Sequence, residues 1–322
     1  MTFTRIVRLL WSGCDVQKSM AKYFLEGNQT LEKWISIEEI LKLKISNCLF
    51  LPKELRAVLS SLVKPIGIRI RHIIVCLYSN DYLPSHFMSI LSWTLLGTID
   101  AKKTAETVLK DDNLPIDKRY EIACTYCLED EILMLWKELP ETNENDYLNL
   151  RGPIYALRYF PIYWTYYMRV ELNRLDRKIR EEYHLRTNCY CIGTLHACIT
   201  FNQSGVEYFV GKMSVEEKER YFQSYFLTME CRVRTDSLGV HSNFSCDIIY
   251  FLLSQMNENQ RTSVFEKYSY DILKNFLKFP YGGIFLQVER SISKYLTVDQ
   301  MKALKKQYKK KSKYFFKTFD RN

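Results

Sequence analysis

The stretch Asp117-Lys-Arg-Tyr-Glu-Ile-Ala-Cys-Thr-Tyr-Cys-Leu-Glu-Asp-Glu-Ile-Leu-Met-Leu-Trp-Lys-Glu-Leu139 decides the reading of the fold. Its first half places Tyr120, Ala123, Cys124 and Cys127 at i, i+3, i+4 and i+7, the apolar face of an amphipathic helix. Leu128-Glu-Asp breaks that stripe, and Ile132, Leu135, Trp136 and Leu139 begin a second one. Pro140 and the polar run Glu141–Asn145 end it. The spacing predicts two short helices folded back on each other.

Working outward, related helix starts recur toward the C-terminus. Met213-Ser-Val-Glu-Glu, Met256-Asn-Glu-Asn-Gln and Leu296-Thr-Val-Asp-Gln each set an apolar anchor before a cap-type residue, with Glu or Gln three positions later. Ser214/Glu217, Asn257/Gln260 and Thr297/Gln300 are capping boxes, in which two side chains satisfy the free amides of a first turn. The anchors stand 43 and 40 residues apart, and Leu114-Pro-Ile-Asp-Lys-Arg reads as a more distant copy. A period near 40 with two helices per unit belongs to HEAT and armadillo-type arrays. The expected fold is therefore all-α: antiparallel helix pairs stacked as a short α-solenoid, with low strand content. Glycine agrees, at 11 of 322 residues, about half the usual share. There is no Asn-Gly or Asp-Gly, and Gly282-Gly283 falls between helical patterns.

Two regions are expected, 1–139 and 154–322, separated by the polar stretch Pro140–Pro153 and ending in a basic helix over 297–319; one continuous solenoid is the alternative. The run Ala101-Lys-Lys-Thr-Ala-Glu-Thr-Val-Leu, continuing through Asp117–Ile132 to Leu135-Trp136, resembles a segment of uncharacterised, multiply duplicated arthropod proteins, some of them related to helical-repeat proteins. The resemblance covers about residues 101–140. It implies a helical-repeat fold, and no activity or catalytic residue.

Arg8 breaks the apolar run Ile6–Trp11, so no secretory signal is read there and the protein is expected to be intracellular, cytoplasmic or nuclear. The sequons at Asn28, Asn202 and Asn243 are then chance matches, and the ten cysteines reduced, mostly packed thiols. Tyr82–Ile99 and Thr187–Val206 lack charge but carry too many polar groups for a bilayer, and are read as buried helices.

Catalytic motifs fail one by one. Gly205-Val-Glu-Tyr-Phe-Val-Gly-Lys-Met213 has five residues between its glycines where a phosphate loop has four, and Met213 stands where the magnesium-binding hydroxyl belongs. No dinucleotide fingerprint, nucleophile elbow or His-Glu-x-x-His occurs. Cys124-x-x-Cys127 has zinc-knuckle spacing without a second pair. His184, Cys189, Cys191, His196 and Cys198 bring five soft ligands together, but at spacings that point apart on a helix. No metal and no cofactor is expected.

Two segments bear on partners. The run Tyr155–Met168 holds Tyr155, Tyr159, Phe160, Tyr163, Trp164, Tyr166 and Tyr167, a helix–helix seam whose exposed part would suit a protein partner. Residues 301–322 carry nine basic side chains against Asp320, nearly all of the chain's +9. Lys305, Lys306, Lys309, Lys310, Lys311 and Lys313 form a polyanion-binding or localisation segment, or else the solvated face of a terminal helix packed through Met301, Leu304, Tyr308, Phe315 and Phe319. The function expected is a non-enzymatic protein-binding scaffold or adaptor, with nucleic-acid binding or nuclear targeting through 302–321 as the alternative.

Overall fold

A computed structural model describes residues 3–26, 30–78, 82–149, 159–183, 187–233 and 240–315. Among them are eighteen α-helices, two short 3-10 turns and no strand; the one bridge joins Trp93 and Ile99. The all-α expectation holds. By packing, the chain forms two compact units: Met1–Asp100 with Ser269–Asn322, and Ala101–Tyr268. The polar stretch after Pro140 lies inside the second unit, and 150–153 lie outside the described residues.

The first unit begins with α1 (Phe3–Trp11), α2 (Cys14–Leu25), α3 (Leu31–Ser46), the long α4 (Lys53–Leu77) and the one-turn α5 (Phe87–Ile90). Its core forms around Trp11, which stacks on Trp34 at 5.3 Å between ring centroids and donates its indole N–H to the Val63 carbonyl at 3.3 Å. Gly67 makes that approach possible, because a Cβ there would come within 2.4 Å of the Trp11 ring.

Tyr82–Ile99 is not the expected buried helix. Only Phe87–Ile90 is helical. Pro84 disfavours helix in the residue before it. Further on, Thr94 uses its hydroxyl to accept from the Thr98 amide, and Gly97 sits at φ 80°. Local side-chain bonds of this kind compete with the helical ladder, and the segment closes as a tight turn. Thr187–Val206 is helical from Cys189 to Ile199 and again from Gln203, with a turn at Thr200–Asn202 between.

The second unit holds α6 (Ala101–Val108), α7 (Ile116–Thr125), α8 (Glu129–Glu138), α9 (Glu141–Asn149), α10 (Tyr159–Met168), α11 (Leu172–Tyr183), α12 (Cys189–Ile199), α13 (Gln203–Lys212), α14 (Val215–Val233) and α15 (Val240–Gln255). The boundary with the first unit falls within α16 (Glu258–Phe276), and α17 (Phe285–Ile292) and α18 (Val298–Phe315) complete the chain.

Three hairpins of the second unit, α7/α8, α10/α11 and α12/α13, share one turn. Two residues after each first helix stands a residue at positive φ: Cys127 at 52°, Val170 at 58° and Phe201 at 57°. In each, the next amide reaches back to a carbonyl five residues earlier: Leu128 to Ala123 at 3.0 Å, Glu171 to Tyr166 at 2.8 Å and Asn202 to Ala197 at 2.8 Å. This is the Schellman close of a helix, normally built on glycine. The carbonyl residues Ala123, Tyr166 and Ala197 are buried, as are Ile132, Leu175 and Val206, five positions after each turn residue. The first helices pack in succession, α7 on α10, α10 on α12 and α12 on α14. A hydrogen bond from the Asn202 side chain to the Thr125 carbonyl also ties the third turn to the first.

All three capping boxes close reciprocally. Glu217 N–H donates to the Ser214 hydroxyl at 3.2 Å while Ser214 N–H donates to the Glu217 carboxylate at 2.8 Å. Asn257/Gln260 and Thr297/Gln300 repeat the exchange at 2.9–3.2 Å. In the first unit, α18 packs on α4 with Leu304 wholly buried, and Tyr308 stacks on Phe285 at 5.0 Å.

Candidate partner-binding groove

The aromatic run builds the centre of the second unit. Tyr159, Phe160, Tyr163, Trp164 and Tyr166 are all buried, braced by Phe209 at 4.8 Å from Tyr163 and by Tyr208 at 5.1 Å from Trp164. The close pairing of α12 with α13 depends on Gly193, where a Cβ would meet the Phe209 ring at 2.6 Å. The seam reading therefore describes Tyr159–Tyr166, and Tyr155 lies outside the described residues.

At its C-terminal end, α10 turns outward. Tyr167 is partly exposed, with its ring edge-on to Trp164 at 5.1 Å. Together with Met168, Val170, Leu172, Asn173 and Leu133 of α8 it lines an open groove of about 510 Å³, within the range of ligand sites. Leu133, Met134 and Val170 are exposed large apolar side chains, and Val170 is 92% exposed. Exposed apolar side chains that share one groove, as Leu133 and Val170 do, mark an interaction surface more often than scattered exposed leucines do.

The lips of the groove carry charge. Along α8, Glu129, Asp130, Lys137 and Glu138 are exposed within one turn of Leu133 or Met134. On the other side Arg174 donates to Glu171 at 2.9 Å, and Arg169 binds both Glu171 and Glu144. The Arg174 guanidinium, with Arg169 beside it, holds the Glu171 carboxyl below its ordinary value. These two arginines and two glutamates pair with one another beside Val170.

The other sequence candidates fall elsewhere. Cys124 is buried in α7, but Cys127 is the turn residue after it, because the helix ends at Thr125. Cys189, Cys191, His196 and Cys198 all lie on α12. Burial raises the Cys189 and Cys191 thiols, disfavouring the thiolate that zinc needs. Among the described residues no group of three or more potential ligands converges, and His184 lies outside them. In the first unit, Cys76 sits 3.8 Å from His72 Nε2, and burial with Arg69 and Arg71 pushes that imidazole down to about 4.

Lys305, Lys306 and Lys309 are exposed on α18 opposite Leu304, with Lys305 3.9 Å from Glu289. The side chains of Lys310, Lys311, Lys313 and Phe315 lie outside the described residues, as do 316–322. The Asn202 sequon is structural: its side chain accepts from Gly205 N–H at 3.1 Å besides donating to Thr125. Asn28 and the Asn243 side chain lie outside the described residues. No helix among the described residues is long and apolar enough to cross a membrane.

The groove itself was not read from sequence. Its one legible signal was the amphipathic character of Tyr167 at the end of the aromatic run; Leu133 and Val170 gave none. Compared with protein-family models, curated proteins and solved structures, the chain matches none.

Proposed function

We propose that the chain is a non-enzymatic, intracellular protein-binding scaffold whose repeated hairpins form a short solenoid and whose partner docks in the groove between α8 and α11. The observation that carries this reading is that exposed Leu133 and Val170 line one groove with the partly exposed ring of Tyr167. Such side chains supply the anchoring area of an interface, while the charged lips set orientation. The test is affinity purification with mass spectrometry of wild type, a Leu133→Asp/Val170→Asp variant and a Lys302→Gln/Lys305→Gln/Lys306→Gln/Lys309→Gln variant. The reading expects stoichiometric partners that the groove variant loses and the lysine variant keeps. Identical partner sets from all three would sink it.

A second reading, nucleic-acid binding through the basic terminal helix, is supported by the exposed lysines of α18. It predicts retention of a single-stranded oligonucleotide that falls steeply with salt, as counterion release requires, and is lost in the lysine variant.

A further inference from the structure

The three Schellman turns allow one hairpin to be read against the others. In the first, the Trp164 ring from the following hairpin lies beside the Cys127 thiol, and its indole N–H donates to the Cys124 carbonyl at 3.2 Å. Cys127 is 5% exposed. In the third, Phe244 of α15 stacks on the turn residue Phe201, with centroids 5.7 Å apart and planes 28° apart. In both, an aromatic ring from a neighbouring helix covers the left-handed residue. In the second hairpin the equivalent residue, Val170, is 92% exposed. The floor beside it is already aromatic, since Tyr167 is held edge-on by Trp164 and lies 6.2 Å from Tyr163.

We propose that the Val170 turn is an aromatic-acceptor site, covered in the working complex by an aromatic side chain of a partner peptide segment. The aromatic requirement follows from the two covered turns, which have the same backbone geometry and are both closed by rings. Leucine or valine would fill the apolar space but would not give the edge-to-face contact with Tyr167 that aromatic pairs prefer.

The backbone offers a second line of argument. A β-branched residue at positive φ is an outlier, and glycine would hold the same turn without strain. Keeping valine where it is both strained and uncovered fits a side chain retained for contact, as strained residues at ligand sites are.

This inference rests on the groove being the partner site, and the test separates the two. The immobilised full chain is panned against a random twelve-residue phage-displayed peptide library, and the selected peptides are titrated against wild type, Leu133→Asp and Val170→Gly. The expected outcome is enrichment of Trp, Tyr or Phe. Leu133→Asp should then abolish binding, and Val170→Gly should weaken it about tenfold while raising the melting temperature. Groove-dependent peptides without an aromatic residue would overturn the inference and leave the groove reading standing. Failure to enrich any peptide, or binding indifferent to Leu133→Asp, would overturn both.

Discussion

Val170 holds φ 58° with its side chain in water, so the fold gains little from that side chain. A left-handed conformation costs a non-glycine residue about 1–2 kcal/mol, and glycine's extra unfolded-state entropy costs about 0.5–1 kcal/mol. Val170→Gly should therefore raise stability by up to about 1 kcal/mol, a few degrees in a thermal melt. Cys127→Gly makes the same backbone change but removes a buried thiol, and should gain less. His72 gives a pH signature. Its folded pKa of about 4 lies below the ordinary 6.5, so the unfolded chain binds more protons between those values. The stability it contributes is present above about pH 6.5 and lost as pH falls toward 4. The full shift corresponds to about 3 kcal/mol, and the residue's partial exposure lowers that figure. Urea midpoints across this window should slope less in His72→Gln; an unchanged slope would contradict the assignment.

Among the elements, the helices most legible in the sequence are those whose ends are written in side chains. The boxes at Ser214, Asn257 and Thr297 fall where the capping pattern places them, because Ser, Asn or Thr followed by Glu or Gln at the third position satisfies a first turn from within the local sequence. Ser214→Ala should cost about 1 kcal/mol, read as a lower chemical-denaturation midpoint. The turns at Cys127, Val170 and Phe201 were not legible, since the usual glycine signal is missing and what the three share is a backbone hydrogen bond rather than a residue type. Tyr82–Ile99 lacks charge yet is neither a helix nor uniformly buried: Leu95 and Leu96 are exposed, and Pro84, Gly97 and the Thr94–Thr98 pair direct the backbone away from a helix. For α18, the wholly buried Leu304 sets packing against charge. Leu304→Ala should cost about 2–5 kcal/mol, whereas Lys305→Gln/Lys306→Gln should change the melting temperature by little, exposed charges being worth about 0.5 kcal/mol or less.

At the scale of the whole molecule, the helical period and the scarcity of glycine were enough to read an all-α chain, and far-ultraviolet circular dichroism should show strand content near zero. The groove was beyond that reading. It depends on which faces α8, α10 and α11 leave uncovered, and a single helix's periodicity does not say which neighbour is missing. Exposed Leu133 and Met134 look in the sequence like any pair beside the stripe of Ile132 and Leu135. The central claim, that a partner segment seats against the Val170 turn, is tested most directly by methyl chemical-shift mapping of the full chain titrated with a peptide selected on it. The account predicts that the largest shifts occur at the methyls of Leu133, Met168, Val170 and Leu172, with those of Leu304 unmoved. Shifts concentrated on α18, or spread over both units with these four unchanged, would contradict it.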